Sequence, residues 1–391
     1  MFNFLSLIFI HKNAVALLML VLLSRIIALL VFDQWDVIND SGLAIKPFGN
    51  PAYLDYEAYR LHIHSAWGEF TRPFLFLQYV FIDIEEAWEW LHRQKFKPGP
   101  LFPELLKLWG YEENRTPLAL LYLLFGCGLG WVWALFMAWR KMGFIMQVLA
   151  SCFPALLYYS FLVSTDLLYA VFMAIFYATT WAVILRKQGA WIWCMCALLL
   201  SVLIRPNALS MIPILFIVLA LDSTMKCWTK LIFLILWSLI SLYMFIYYLP
   251  YFWLYERHSE GLAYWGINSQ QFHEGFFSDW PIWLNQAMSI VLFGLSKLTY
   301  SVGLRPSYAE LSFWLTFARA CPAVLLLPGL IYGFFRGHWF DRIFVFFFLL
   351  PLYFGAAQER YLLAVTPILM LWGSKFYITL WNNFNPKYYK E

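Results

Sequence analysis

The sequence predicts an all-α membrane protein with about ten transmembrane helices. Three observations lead to this fold class: an apolar composition, a succession of apolar runs of spanning length, and Lys and Arg in the short loops between them. Apolar residues make up 62% of the 391 residues and charged residues 13%, against roughly 45–50% and about 25% in soluble domains. A soluble protein of this length could not bury so much apolar surface, whereas a bilayer covers it.

Apolar runs of about 20 residues are long enough to cross the hydrocarbon core of a bilayer. By this criterion the predicted spans are residues 13–33, 116–139, 143–162, 166–185, 190–206, 207–222, 230–252, 310–335, 340–356 and 360–381. Together they predict a single transmembrane domain covering residues 1–391, without a soluble domain.

Basic residues in short loops predict the orientation of the chain, because Lys and Arg are retained on the cytoplasmic side. Ten spans with both termini in the cytoplasm place the following residues on that side: Lys12, Arg140, Lys141, Arg186, Lys187, Lys226, Lys230, Arg336, Arg342, Lys387 and Lys390. The segment 281–305 would be an eleventh span and would move Arg336 and Arg342 outside. Because Asn285, Gln286 and Lys297 interrupt this segment, we predict that it is an interfacial helix on the outer surface.

Two extracytoplasmic loops, about residues 34–115 and 253–309, are too long to be simple connections. In the first, residues 53–67 and 87–95 have the pattern of amphipathic helices that lie on the membrane surface. The expected location is the plasma (bacterial inner) membrane, because the chain is short and carries no endoplasmic-reticulum retention signal. The net charge of +4 lies mostly in short loops, which argues for orientation in a bilayer and against nucleic acid as a partner.

Carboxylates cluster soon after the first span, at Asp36, Asp40, Asp55 and Glu57. A solvated loop helix would carry the same residues at little cost. The functional interpretation is a general base beside aromatic side chains that can stack on a sugar ring.

Charged residues also occur inside or at the edges of the predicted spans, where they are costly and normally face the bundle interior or a polar cavity. They are Arg25, Asp166, Arg205, Glu359 and Arg360. Pro206 follows Arg205 and places it at a helix break, from which its long side chain could simply reach the membrane surface.

Five segments follow one another along the chain: 55–59 (DYEAY), 97–106 (KPGPLFPELL), 153–166 (FPALLYYSFLVSTD), 203–209 (LIRPNAL) with Pro213, and 359–367 (ERYLLAVTP). In order and in topology they resemble the GT-C superfamily of multi-spanning glycosyltransferases, which includes protein O-mannosyltransferases and the aminoarabinose transferase acting on lipid A. Three departures stand out. Asp166 occupies the position of a usual Glu, Ala364 that of a usual Pro, and the first segment lies farther after the first span than is common.

The resemblance implies a GT-C fold and a hexosyl- or pentosyltransferase that takes its sugar from a polyprenyl-phosphate donor. The acceptor would be a hydroxyl of a glycan, a lipid or a protein at the extracytoplasmic face, and the anomeric centre would be inverted. The implied catalytic base is Asp55, with Asp36, Asp40, Glu57 and Asp166 as alternative acids. Arg205 and Arg360 would bind the donor phosphate, and Tyr56, Tyr59 and Glu359 would contact the sugar or the acceptor. No cofactor is expected, although Asp55 with Glu57 could bind a divalent metal.

Two other classes of membrane protein share some of these features. A transporter or flippase for lipid-linked sugars would have similarly broken helices in two related halves, and the sequence shows no such symmetry. An O-antigen-type polymerase or ligase also carries acids and Arg in outer loops. The early acidic loop and the ERYLL string before the last span favour the glycosyltransferase.

Overall fold

The computed structural model describes residues 14–32, 101–108, 116–160, 165–222, 225–257, 280–304, 320–354 and 359–384. Across these ranges the chain is mostly helical and has no β-strand, which confirms the predicted all-α class. The surface helices predicted at 53–67 and 87–95 lie outside the described residues.

The α-helices of the described ranges are numbered here in chain order. They are α1 (Ala14–Phe32), α2 (Leu101–Leu108), α3 (Thr116–Trp139), α4 (Phe144–Ser151), α5 (Pro154–Tyr159), α6 (Thr165–Ile184), α7 (Ala190–Ile204), α8 (Ile212–Leu221), α9 (Cys227–Arg257), α10 (Ile282–Ser301), α11 (Ala323–Arg336), α12 (Trp339–Phe354) and α13 (Thr366–Phe384). Two 3-10 helices, Pro206–Met211 and Glu359–Leu362, precede α8 and α13.

Several helices have the length and composition of membrane spans. Within the described ranges, three are both long and apolar enough to cross a bilayer: Leu120–Trp139, Thr165–Ile184 and Cys227–Ile246. Shorter apolar helices occur at Ala14–Ala28, Ala190–Ile204, Asn207–Leu221 and Ala323–Arg336. These helices support the predicted association with a membrane.

Prolines account for the main differences between the predicted spans and the observed helices. The predicted span 143–162 is divided into α4 and α5, and α5 begins at Pro154. The predicted span 207–222 begins as a 3-10 helix at Pro206, and Pro213 lies in the first turn of α8. Proline lacks a backbone N–H, so it is tolerated at the start of a helix and interrupts one elsewhere.

The segment predicted as an interfacial helix, 281–305, does form one continuous helix, α10. Its last turns are buried at Lys297, Tyr300 and Ser301, whereas Trp283 near its start is exposed. Its placement on the outer surface remains a prediction.

The chain divides into two compact units. The first consists of Met1–Ala14, Leu22–Leu129 and Leu157–Glu256, and the second of Val15–Val21, Gly130–Leu156 and Arg257–Glu391. In the first unit, α6 packs along α7, and α2 also contacts α7. In the second unit, the main packing is between α11 and α13.

Glycines allow α11 and α13 to approach closely. Gly329 and Gly333 are one turn apart on α11, and a Cβ on Gly329 would overlap the Leu369 carbonyl. A Cβ on Gly333 would overlap the ring of Trp372, and a Cβ on Gly373 would overlap the Leu325 carbonyl. Small residues at such spacing drive close helix packing in membranes, where no hydrophobic effect holds helices together.

Two helices end on a basic residue with left-handed backbone geometry. Lys141 after α3 has φ 60°, and Arg186 after α6 has φ 58°. Lys187 N–H donates to the Ala182 carbonyl at 2.9 Å and Arg186 N–H to the Val183 carbonyl at 2.8 Å, the bond pattern of a Schellman cap. This cap turns the chain at once into α7, so α6 and α7 form an antiparallel hairpin.

Candidate functional site

The candidate site lies at the open end of the α6–α7 hairpin. Asp166 is in the first turn of α6, and Arg205 is the residue that ends α7. Because the two helices run antiparallel across a short turn, the start of α6 and the end of α7 are neighbours.

Arg205 is held by two residues from the start of α6. Its Nη2 lies 2.6 Å from Oδ1 of Asp166, an ion-pair distance. Its Nε donates a hydrogen bond to Oγ1 of Thr165 at 2.9 Å. The side chain of Arg205 is 16% exposed and that of Asp166 is 1% exposed, so the cation is the member of the pair that reaches solvent.

The local backbone of Arg205 places its guanidinium group beside the start of α6. Arg205 has extended geometry, with φ −142° and ψ 135°, and its N–H still donates to the Ser201 carbonyl at 2.9 Å. Pro206 then begins the 3-10 helix. The helix break predicted at Arg205 is therefore confirmed.

The helix dipoles favour both charges of the pair, and burial strengthens the attraction between them. An anion is stabilised near a helix N-terminus and a cation near a helix C-terminus, which are the positions of Asp166 and Arg205. The Asp166 carboxylate is buried, and in a poorly hydrated environment the attraction between the paired charges is stronger than in water.

A second buried cation of the first unit, Arg25, lies in the middle of α1. It is 1% exposed, and its Nη2 donates to the Gly126 carbonyl of α3 at 3.2 Å. Gly126 in turn contacts Ser160, because a Cβ at this position would overlap the Ser160 hydroxyl. The prediction that Arg25 faces the interior of the bundle is confirmed.

The second unit contains an ion pair of closely similar geometry. Arg140 Nη2 lies 2.6 Å from Oδ2 of Asp341, with the two side chains 15% and 1% exposed. The Arg140 guanidinium also lies over the rings of Phe136 and Trp139, at 5.3 and 4.8 Å from their centroids. The pair joins the end of α3 to the first turn of α12.

The other predicted site residues fall partly or wholly outside the described ranges. Asp36, Asp40, Asp55, Tyr56, Glu57 and Tyr59 lie outside the described residues. The backbone of Glu359 and Arg360 lies in the 3-10 helix Glu359–Leu362. Their side chains are outside the described part of the structure. The residues that follow, Leu362 to Thr366, are buried in the second unit.

The sequence singles out both Arg205 and Asp166 but does not predict that they pair. The positions of the two residues at the open end of one helical hairpin could have indicated their contact.

The described part of the site is an arginine held by Thr165 and Asp166, with 16% of its side chain exposed. Within the described ranges no three His, Cys, Asp or Glu residues are grouped as metal ligands would be. The chain matches no protein-family model, no curated protein and no solved structure.

Proposed function

We propose that this protein is an inverting glycosyltransferase of the GT-C type, with about ten spans, that uses a polyprenyl-phosphate sugar at the extracytoplasmic face. The observation that carries the proposal is the contact between Arg205 and the Thr165–Asp166 pair. These residues belong to two separate sequence segments that resemble the superfamily, 153–166 and 203–209. Segments that serve one site should meet in the fold, and these two do.

The position of this contact suits a lipid-linked donor. A polyprenyl chain is too apolar to leave the bilayer, so its phosphate must be met at the end of a membrane helix. Arg205 ends an apolar helix and is partly exposed. A guanidinium group presents a planar set of donors that matches phosphate oxygens, and Arg205 is our candidate for this contact, together with Arg360.

The Arg140–Asp341 pair supports the proposed topology. Two residues in ion-pair contact lie on the same side of a membrane, so an even number of crossings must separate them. The ten-span arrangement meets this condition, because the spans between them are 143–162, 166–185, 190–206, 207–222, 230–252 and 310–335. An additional crossing by α10 would make the number odd.

The transfer has a simple charge balance. The acceptor hydroxyl gives its proton to a carboxylate, for which Asp55 is our candidate, and its oxygen bonds to the anomeric carbon. The bond from that carbon to the phosphate oxygen breaks, and the electron pair stays on the phosphate. The leaving polyprenyl phosphate is more negative than the donor, and a cation placed beside it stabilises this charge.

Binding of the lipid phosphate tests the proposal without knowledge of the sugar. The purified full chain in lipid nanodiscs is titrated with polyprenyl phosphate, the product common to all such donors, and with the matching polyprenol. We expect the phosphate lipid to bind and the alcohol to bind much more weakly. A set of polyprenyl-phosphate sugars is then screened for release of polyprenyl phosphate in the presence of acceptor extracts.

The two measurements separate the possible functions. Equal binding of the phosphate and the alcohol would reject Arg205 as part of a phosphate site. Selective phosphate binding without release of product from any donor, combined with movement of the lipid between leaflets, would indicate a flippase instead.

A further inference from the structure

Asp166 is one of the acids that the sequence offers as a base, and its surroundings suit a different task. A base must reach the proton that it takes from the acceptor. Asp166 is 1% exposed, and its Oδ1 is already in contact with Arg205. Its geometry directs its charge towards the guanidinium group rather than towards a substrate.

We infer that Asp166 is a positioning residue that fixes the Arg205 guanidinium before the donor binds. This inference rests on the proposed function. Asp166 and Thr165 hold Arg205 through two different nitrogens, Nη2 and Nε. Two contacts from the same turn of α6 fix both the place and the plane of the group, whereas one contact would leave it free to rotate.

Fixing the guanidinium group before the donor binds helps to stabilise the charge that develops on the phosphate. A free arginine side chain loses rotamer freedom when it binds, and a fixed one has already lost it. A cation that is in place when the glycosidic bond breaks acts on the developing charge without reorganisation. Displacement of a positioned group by about 1 Å can lower the rate about 10²-fold.

The dipoles of α6 and α7 hold the pair together independently of any ligand. Asp166 lies near the positive end of α6 and Arg205 near the negative end of α7. Each dipole stabilises the charge at its own helix end whether or not a donor is bound, as positioning requires.

The Arg140–Asp341 pair provides a matched control. Its distance, 2.6 Å, equals that of the Arg205–Asp166 pair, and each pair joins a 1% exposed aspartate to an arginine that is 15% or 16% exposed. The two pairs differ in their other contacts, because Arg140 also lies over aromatic rings and Arg205 also bonds Thr165. Of the two arginines, only Arg205 lies in a segment that resembles the superfamily. A general effect of breaking a buried pair should appear in both.

The test compares Asp166→Asn with Asp341→Asn in the full chain in nanodiscs. The apparent melting temperature, the affinity for polyprenyl phosphate, and kcat and KM for the donor are measured per folded protein. We expect both variants to melt at a lower temperature. Only Asp166→Asn should lose turnover, by about 10²-fold, and Asp166→Glu should recover part of it.

A charge-swapped variant separates positioning from packing. Asp166→Arg combined with Arg205→Asp keeps an ion pair between α6 and α7 but moves the cation to α6. Recovery of the melting temperature without recovery of turnover is the expected result. Recovery of both would show that the pair serves packing alone, as would full turnover in Asp166→Asn.

The remaining outcomes are also decisive. If the Asp166 variants fail to accumulate as folded protein while Asp341→Asn accumulates, the pair is needed for folding and the positioning role is rejected. If the wild-type chain neither binds polyprenyl phosphate nor releases it, the proposed function has failed, and the melting temperatures still report on the pair.

Discussion

Arg140 and Asp341 are 201 residues apart in the chain, and their side chains meet at 2.6 Å. The contact joins the end of α3 to the first turn of α12. It constrains any proposed topology, because it links two segments that the sequence can relate only by counting spans.

The first prediction concerns this topology. In a variant without native cysteines, Gly143→Cys and His338→Cys should react with a membrane-impermeant thiol reagent only after permeabilisation of cells. Both positions are exposed, and a Cβ at Gly143 meets no atom within 4 Å. Gln358→Cys should react in intact cells. Labelling of His338→Cys from outside, with Gly143→Cys protected, would mean that α10 crosses the membrane.

The second prediction concerns the energy of the Arg140–Asp341 pair. Asp341→Asn should destabilise the protein by about 3 kcal/mol, because it leaves a largely buried guanidinium without its counter-charge. Thermal or denaturant unfolding in detergent measures the change. Asp341→Asn with Arg140→Met removes both charges and should recover much of the loss. A double variant as unstable as the single one would contradict this account.

The third prediction concerns the packing of α11 on α13. Gly333→Ala should destabilise the protein by about 1–3 kcal/mol, since the added methyl group overlaps the ring of Trp372. The matched control is Gly128→Ala on α3, where a Cβ meets no atom within 4 Å. The control should be neutral or stabilising by up to about 1 kcal/mol, the helix propensity difference. Equal losses in both variants would show that the Gly333 contact is not tight.

The fourth prediction concerns the catalytic base. Asp55→Asn should lower transfer by about 10²–10⁴-fold, the usual contribution of general base catalysis. Binding of polyprenyl phosphate should be retained, because the amide keeps the shape of the carboxyl group. Glu57, Asp36 and Asp40 should tolerate the same change better. Loss of transfer in Asp36→Asn or Asp40→Asn, with Asp55→Asn active, would move the base to that residue.

The fifth prediction concerns the phosphate contact. Arg205→Lys should lower turnover by about 10²-fold although the charge is kept, because the single nitrogen of a lysine cannot contact both Thr165 and Asp166 while facing a phosphate. Arg140→Lys, the corresponding change in the other pair, should leave turnover unchanged. The same substitution at Arg360 should also lower turnover. Unchanged turnover and donor affinity in both Arg205→Lys and Arg360→Lys would reject these residues as the phosphate site.

The sequence predicts which segments are helical more reliably than it predicts which charges meet. Long apolar runs admit little except helix in a bilayer, and α1, α3 and α6 end within a residue or two of their predicted bounds. The interruption of 143–162 at Pro154 was less predictable, because hydropathy does not register a missing backbone N–H. The Arg140–Asp341 contact depends on the packing of helices far apart in the chain, which no local pattern encodes.

The Asp166–Arg205 contact is more predictable from the sequence than the Arg140–Asp341 contact, but less so than the helices. Each residue is a charge inside or at the edge of a predicted span. Their contact follows from the tight turn between α6 and α7, which forces antiparallel neighbours. Two charges at corresponding ends of such a hairpin can be paired from sequence alone, whereas the burial of one and the exposure of the other requires the structure.

The length of α7 has a consequence for the surrounding lipid. Its 15 residues extend about 22 Å, which is shorter than the roughly 30 Å hydrocarbon layer that a crossing helix must match. If α7 crosses the bilayer as proposed, the membrane must thin beside Arg205 or the helix end must lie below the headgroups. Thinning brings the lipid phosphates to the depth of the guanidinium group, whereas a helix end below the headgroups requires the Arg205 side chain to extend up to them. Transfer should then depend on acyl-chain length, with short-chain bilayers relieving the mismatch and long-chain bilayers increasing its cost.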